Sequence, residues 1–330
     1  MRVVALEEHF TVPALVRRID PEAIRRRGWP SPGAQPPTMS HDAELADLGP
    51  ARLADMDAAG ITVQVLSVSG PGADLVDGDA GVQLARDYND ALAQTVAAHP
   101  DRYAGFAHLP MRTPEAAADE LERCTSDLRF RGALINGLTE DRFLDDPRFA
   151  PLLARAERLG VPLYLHPGIP PEAVRHAYYD GLPGQTGFIL SMAGWGWHAE
   201  TAVHVLRLAL SGTLDRYPNL KLIVGHMGEG LEVMMARVDN VFGPSTPHLT
   251  RPVSRAVRDQ VWVTTSGFFS QPPFAAAVAS FGADRILFSV DYPYSPNAPA
   301  RAWLDALDVS REDREKIAHG NADALLGLAR

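Results

Sequence analysis

Five side chains able to bind a divalent cation or to move protons stand at the ends of short apolar runs. Glu7 and His9 close Val3-Val4-Ala5-Leu6, His166 closes Val161-Pro162-Leu163-Tyr164-Leu165, His226 follows Leu222-Ile223-Val224-Gly225, and Asp291 follows Phe288-Ser289-Val290. Side chains alternate along a strand, so Glu7 and His9 share one face and Glu8 points the other way. Carboxylate and imidazole together form the mixed oxygen and nitrogen set that Zn²⁺ or Mn²⁺ accepts. Taken singly, a strand-end histidine is more often a hydrogen-bonded structural residue, and a strand-end aspartate often caps the next helix. Their placement at the same end of successive strands is what points to a metal site.

Something must bring those ends together. Eight β-branched or apolar runs recur along the chain, at Val3–Leu6, Ile61–Ser67, Tyr103–Leu109, Gly132–Asn136, Val161–His166, Leu220–His226, Val261–Ser266 and Arg285–Asp291. Between them lie Ala-, Leu-, Arg- and Glu-rich stretches with helical periodicity, such as Asp79–Ala98 and Thr113–Asp127. Thr113-Pro114 and Asp146-Pro147 read as helix starts. Eight strand–helix units predict an α/β fold, a (β/α)8 TIM barrel of the metal-dependent hydrolase type, with active-site loops at the C-terminal ends of its strands. An open doubly wound sheet is the rival. Two segments break the rhythm, Phe10–Pro50 after strand one and Pro167–Glu200 after strand five, and both read as elaborated loops. With no linker, repeat or low-complexity tract, one domain over residues 1–330 is the expectation.

Bulk properties narrow the function classes. The 330 residues carry 31 Lys+Arg against 41 Asp+Glu, a net charge of −10, with 46% hydrophobic and 22% charged residues. An acidic chain without a basic block is a poor ligand for nucleic acid or anionic membrane. No apolar run reaches the ~20 residues of a membrane span, and the acids at positions 7 and 8 interrupt any signal-peptide core. The single cysteine, Cys124, excludes an intrachain disulfide and a CxxC site, and a cytoplasmic location is expected. No GxGxxG lies between a strand and a helix, which disfavours a nicotinamide oxidoreductase.

Ala5-Leu6-Glu7-Glu8-His9-Phe10, Leu163-Tyr164-Leu165-His166-Pro167, Gly225-His226-Met227-Gly228-Glu229-Gly230 and Asp284-Arg285-Ile286-Leu287-Phe288-Ser289-Val290-Asp291 occur in this order. With Met56–Ile61, Gly132–Gly137 and Glu200–His204, they make the chain resemble, almost end to end, the amidohydrolase-related aromatic acid decarboxylases. That family includes γ-resorcylate, 2,3-dihydroxybenzoate and 5-carboxyvanillate decarboxylases. The resemblance implies one Zn²⁺ or Mn²⁺ held by Glu7, His9, His166 and Asp291, with His226 and Glu229 as a proton-handling pair. It implies non-oxidative decarboxylation of a hydroxybenzoate-like acid, with Asp291 delivering a proton to the ring carbon and CO₂ leaving.

The resemblance also implies weaker substrate contacts. Arg237 matches an arginine that reaches substrate across a subunit boundary, which fits a homodimer or homotetramer, and Arg52 matches a second position. As isolated arginines, both would otherwise be surface ion pairs. Tyr294 and Trp195 would line the ring pocket, and Asn136 reaches its mouth or caps a helix. Trp197-His198 departs from the relatives' pattern of Phe and a small residue and bears on substrate identity. The alternative function is a mononuclear hydrolase of a lactone, ester or cyclic amide, the same metal activating water. A lysine-bridged binuclear centre is excluded. The only lysines are Lys221, at the start of strand six, and Lys316, in a C-terminal helix.

Overall fold

A computed structural model describes residues 1–30 and 35–328, so the stretch 31–34 of the loop after strand one, and the last two residues of the predicted domain, lie outside the described residues. Each apolar run contributes a strand: β1 (Val4–Phe10), β2 (Val63–Val68), β3 (Tyr103–Gly105), β4 (Ala133–Asn136), β5 (Leu163–His166), β6 (Leu222–Val224), β7 (Val261–Thr264) and β8 (Ile286–Leu287). They run parallel in chain order, as an arc of three and an arc of five. An Ala107–Ala133 bridge joins the arcs on one side. On the other, the His9 amide donates to the Tyr292 carbonyl at 2.7 Å. The eight strands thereby close into the expected (β/α)8 barrel.

The interior is filled by Val4, Leu6, Val65, Phe106, Leu134, Tyr164, Ile223 and Leu287, all buried. Alternate residues such as Ala5, Leu66, Ile135, Leu165 and Val224 face the outer helices. The strands are therefore apolar on both faces, as a sheet sandwiched between core and helices must be. The helix Gly78–Ala98 shows the pairing, burying Leu84, Ala85, Tyr88 and Leu92 on one side. Two helix-start readings divide. Asp146 caps by accepting from the Arg148 amide at 3.0 Å, but it opens a 3₁₀ turn rather than the helix itself. Thr113 makes no side-chain cap.

Several strands are shorter than the apolar runs suggest, and the reason is functional. The run at 285–291 narrows to Ile286–Leu287, and that at 220–226 stops at Val224. Beyond those points the chain leaves the ladder to present Asp291 (φ 73°) and His226 (φ 49°) from the left-handed region, a costly conformation for residues with side chains that concentrates at functional sites. The two elaborated loops are helical in part, with helices Pro13–Val16, Pro21–Arg27 and Asp42–Ala46 after β1, and Glu172–Tyr178 and Thr186–Ser191 after β5. No described helix is long and apolar enough to cross a membrane.

The seam between β8 and β1 is closed by side chains rather than by a full ladder. A register shift in β1 between Ala5 and Glu8 is a bulge, which re-aims side chains. Glu8 then accepts the Val290 amide at 2.9 Å and the Tyr292 amide at 3.3 Å. Arg52, also buried, donates to the His9 carbonyl and to Gln64 Oε1, each at 2.7 Å, and stacks 4.7 Å over the Tyr292 ring. Its substitution by Met is expected to leave the His9 carbonyl, Gln64 and Glu8 without their cation, destabilising the fold by about 3–5 kcal/mol. Thermal or urea unfolding would read this as a clearly lowered midpoint, and an unchanged midpoint would remove Arg52 from the seam's energetics.

Candidate metal centre

Four donors converge at the C-terminal mouth of the barrel. Glu7 and His9 come from β1, His166 from the end of β5 and Asp291 from just beyond β8, and one ligand atom from each lies within 4.8 Å of every other. His9 Nε2 is 3.2 Å from Asp291 Oδ1, and His166 Nε2 is 3.3 Å from Glu7 Oε1. The predicted set is thus brought together in space.

The surroundings decide which atoms face inward. Glu7 Oε2 accepts hydrogen bonds from the Tyr164 and Ser266 hydroxyls, with Thr264 Oγ1 at 3.4 Å. Glu7 Oε1 is buried with no hydrogen-bond partner, and so is His9 Nε2. His166 Nδ1 donates to the Pro167 carbonyl at 2.7 Å, and His9 Nδ1 lies 3.3 Å from Ser67 Oγ. Each imidazole is therefore anchored through Nδ1 and offers Nε2 to the cluster, the arrangement by which an outer partner fixes a ligating histidine. At Gly225 a β-carbon would come within 2.9 Å of the Glu7 carboxylate. Bare, converging oxygen and nitrogen atoms in a buried site fit one divalent cation.

The electrostatics agree. Burial drives His9 and His166 down to about 4, keeping both neutral as ligands must be. Burial, with the Glu7 charge beside it, pushes Asp291 up to about 7; a dication in the cluster would reverse that shift by favouring the carboxylate. His226 behaves oppositely. Burial pulls it down, but Glu229 first and then Glu7 outweigh this and raise it to about 10. Its Nδ1 is 2.7 Å from Glu229 Oε1, while Nε2 stands 3.5 Å from Glu7 and 4.0 Å from Asp291. Glu229, despite its burial, is held down to about 2 by His226 and His198.

Above the cluster opens a cavity of about 260 Å³, whose lining includes Trp29, Asn136, Trp197, Phe268 and Tyr294. Asn136 and Tyr294 thus stand where the sequence placed them, Tyr294 within 2.9 Å of Ser69 Oγ. Trp195 does not. It is 60% exposed, and the indole on the cavity wall is that of Trp197, because Gly196 starts the helix Gly196–Leu210 and turns the chain between them. Arg52 is likewise displaced from its expected substrate contact, being engaged in the seam described above. Arg237 is exposed on the helix Leu231–Phe242, outside the cavity lining. Both lysines lie away from the cavity, Lys221 on the Gly160 carbonyl and Lys316 among Asp284, Glu312 and Asp313.

Some members of the site were not read from the sequence. His198 lines the cavity and meets Glu229 Oε2 at 2.5 Å, so one carboxylate clamps two imidazoles. The aromatic Trp195–His198 stretch signalled a pocket wall but not this clamp. Thr264 and Ser266, at the end of β7, could have been found by their spacing of two, which puts both hydroxyls on the face of the Glu7 carboxylate.

The sequence model of the amidohydrolase family matches residues 9–328. A γ-resorcylate decarboxylase from Rhizobium sp. (strain MTP-10005) is 39% identical over 339 residues, covering 98% of each chain. The crystal structure of a 2,6-dihydroxybenzoate decarboxylase complexed with 2,6-dihydroxybenzoate superposes with a TM-score of 0.87 at 37% identity, over 99% of this chain and 100% of that one. A dihydroxybenzoic acid decarboxylase from Polaromonas sp. JS666, with bound manganese and the inhibitor 2-nitroresorcinol, gives 0.88 at 37%, over 100% and 98%. On its barrel, its clustered strand-end donors and a match along almost its whole length, this chain belongs to the amidohydrolase family.

Proposed function

We propose that this chain is a metal-dependent, non-oxidative decarboxylase of a hydroxylated aromatic carboxylic acid. The observation that carries the reading is the juxtaposition at one barrel mouth of the four-donor cluster, Asp291 among its members, and an aromatic-walled cavity. Glu7, His9, His166 and Asp291 would hold one divalent cation, which would supply Lewis acidity toward the substrate's oxygens. Manganese in a relative supports Mn²⁺, and the mixed donor set equally suits Zn²⁺.

The protein's own residues do the rest. Trp197, Phe268 and Tyr294 enclose the ring. Asp291 gives a proton to the ring carbon that bears the carboxylate. A C–H bond forms there, the bond to the carboxylate carbon breaks with its electron pair returning to the ring, and CO₂ leaves. A proton from solvent then restores Asp291. His226, charged and aimed at the cluster, stabilises anionic oxygen on the substrate, while Glu229 and His198 fix its orientation. Arg237 reaches substrate only if a second copy of the chain presents it. The neighbouring exposed Val233, Met234 and Val241 favour burying that helix face in a homodimer or homotetramer. A cytoplasmic setting is part of the proposal, supported by the lone Cys124, whose buried thiol is pushed well above the usual range.

Three outcomes follow. A chelator should abolish CO₂ release from a panel of hydroxybenzoates, and Mn²⁺ or Zn²⁺ should restore it; undiminished activity in metal-free protein would refute the mechanism. Asp291→Asn should lower kcat at least about a hundredfold while a nitrophenol analogue still binds, so near-normal turnover with normal metal content would take the proton-donor role from Asp291. His198→Ala should reduce kcat by about tenfold through loss of orientation at His226, and a wild-type rate would make the clamp dispensable.

A further inference from the structure

The cavity wall carries two opposite charges that the proposed reaction leaves unengaged. Arg27 ends the helix Pro21–Arg27 in the loop after β1, Asp74 lies in the 3₁₀ turn Ala73–Leu75 after β2, and both line the cavity. Among the described residues, Arg27 donates one hydrogen bond, to the Ile169 carbonyl, and none is donated to the Asp74 carboxylate. His108 Nε2 lies 3.8 Å from Asp74 Oδ1, but it already accepts from the Ala73 amide at 2.8 Å and has no proton to give. Asp74 acts electrostatically on Arg27, yet the two do not close to an ion pair. Glu200, Asp141 and Arg175 also face Arg27, and Glu200 is itself pushed up to about 7 by burial, which weakens it as a counterion.

Two half-buried opposite charges left unpaired on one cavity wall are costly unless water or a polar group of a ligand satisfies them. The backbone leaves room beside Arg27. At Gly168 a β-carbon would come within 3.2 Å of Arg27 Nη2 and 2.8 Å of Gly137 Cα. The group that fits the gap must donate to Asp74 and accept from Arg27. A carboxylate is repelled by Asp74, an ammonium by Arg27, and a methoxy group has no proton for Asp74. A hydroxyl satisfies both.

We infer that Arg27 and Asp74 form a subsite for a hydroxyl on the substrate ring's edge remote from the carboxylate. The inference rests on the decarboxylase reading above. A ring whose carboxylate and ortho oxygen face the metal cluster turns its other edge toward the loops after β1 and β2, where Arg27 and Asp74 stand. The substrate class is thereby narrowed to ortho-hydroxybenzoates bearing a second hydroxyl away from the carboxylate, in contrast to a 2,6-dihydroxy ring, whose hydroxyls both flank it.

The test compares kcat/KM for 2,4- and 2,5-dihydroxybenzoate with that for 2-hydroxybenzoate, in the metal-loaded wild type and in Arg27→Met and Asp74→Asn. The wild type should favour at least one dihydroxy acid by about tenfold or more, since a site built to hydrogen-bond a hydroxyl rejects the analogue lacking it. Each folded variant should bring that ratio close to one. Because a second hydroxyl also changes ring reactivity, binding of the matching phenols (resorcinol and hydroquinone against phenol) is titrated in the same proteins, and the same ratios are expected. A wild type that binds all the phenols alike, or a preference that survives in either folded variant, overturns the subsite. If none of the acids releases CO₂, the decarboxylase reading fails, and the phenol titrations still decide the subsite on their own.

Discussion

The site depends on how one buried carboxylate is divided. Glu7 is fully buried beneath the mouth of the barrel, so each of its oxygens must be satisfied from within. Hydroxyls from β5 and β7 approach Oε2, from Tyr164, Thr264 and Ser266. Oε1 is left bare, 3.3 Å from His166 and 3.5 Å from His226. Burial opposes its ionisation, but the charged His226 beside it, with the Ser266 hydrogen bond, more than offsets this and holds it ionised. Half of the group is thus tied to the scaffold and half is free for a cation. The barrel's closure serves this division, because the seam held by Glu8 and Arg52 fixes β1 against the segment that carries Asp291.

Around that carboxylate, one residue type takes two roles according to its neighbours. His9 and His166 are buried with a backbone or hydroxyl partner on Nδ1 and stay neutral. His226 has a carboxylate on Nδ1 and is charged. The first environment makes electron-pair donors and the second a hydrogen-bond donor and cation. The turn from His226 to Glu229 reaches this geometry through positive φ at His226, Met227 and Glu229, a conformational cost set against the buried contacts between Glu229 and its two histidines.

Much of this was legible in the chain because it is local. Apolar runs that end in Glu7, His9, His166 and Asp291 specify strands with polar tips, and eight such runs with helical spacers leave few topologies. The period of two assigned Glu7 and His9 to one face and Glu8 to the other, and the bulge in β1 turns the Glu7–His9 face inward, where unbroken alternation from Val4 and Leu6 would have sent Glu8. Arg52 was read toward substrate from the family resemblance, whereas its true partners, the His9 carbonyl, Gln64 and Tyr292, are 43, 12 and 240 positions away. Trp195 and Trp197 share a face by simple alternation, but a helix beginning at Gly196 separates them and leaves only the second at the cavity.

The sequence by itself determined the strands, their order, the helical layer and the polar residues at the strand ends, since these follow from hydrophobic period and residue type. Tertiary structure alone decided which oxygen of Glu7 is bare, that Glu229 holds two histidines, that Arg52 closes the barrel, and that Arg27 and Asp74 line the same cavity. Those are contacts between segments tens to hundreds of residues apart. No periodicity encodes them, because their distances are set by how the closed barrel and its two long loops pack.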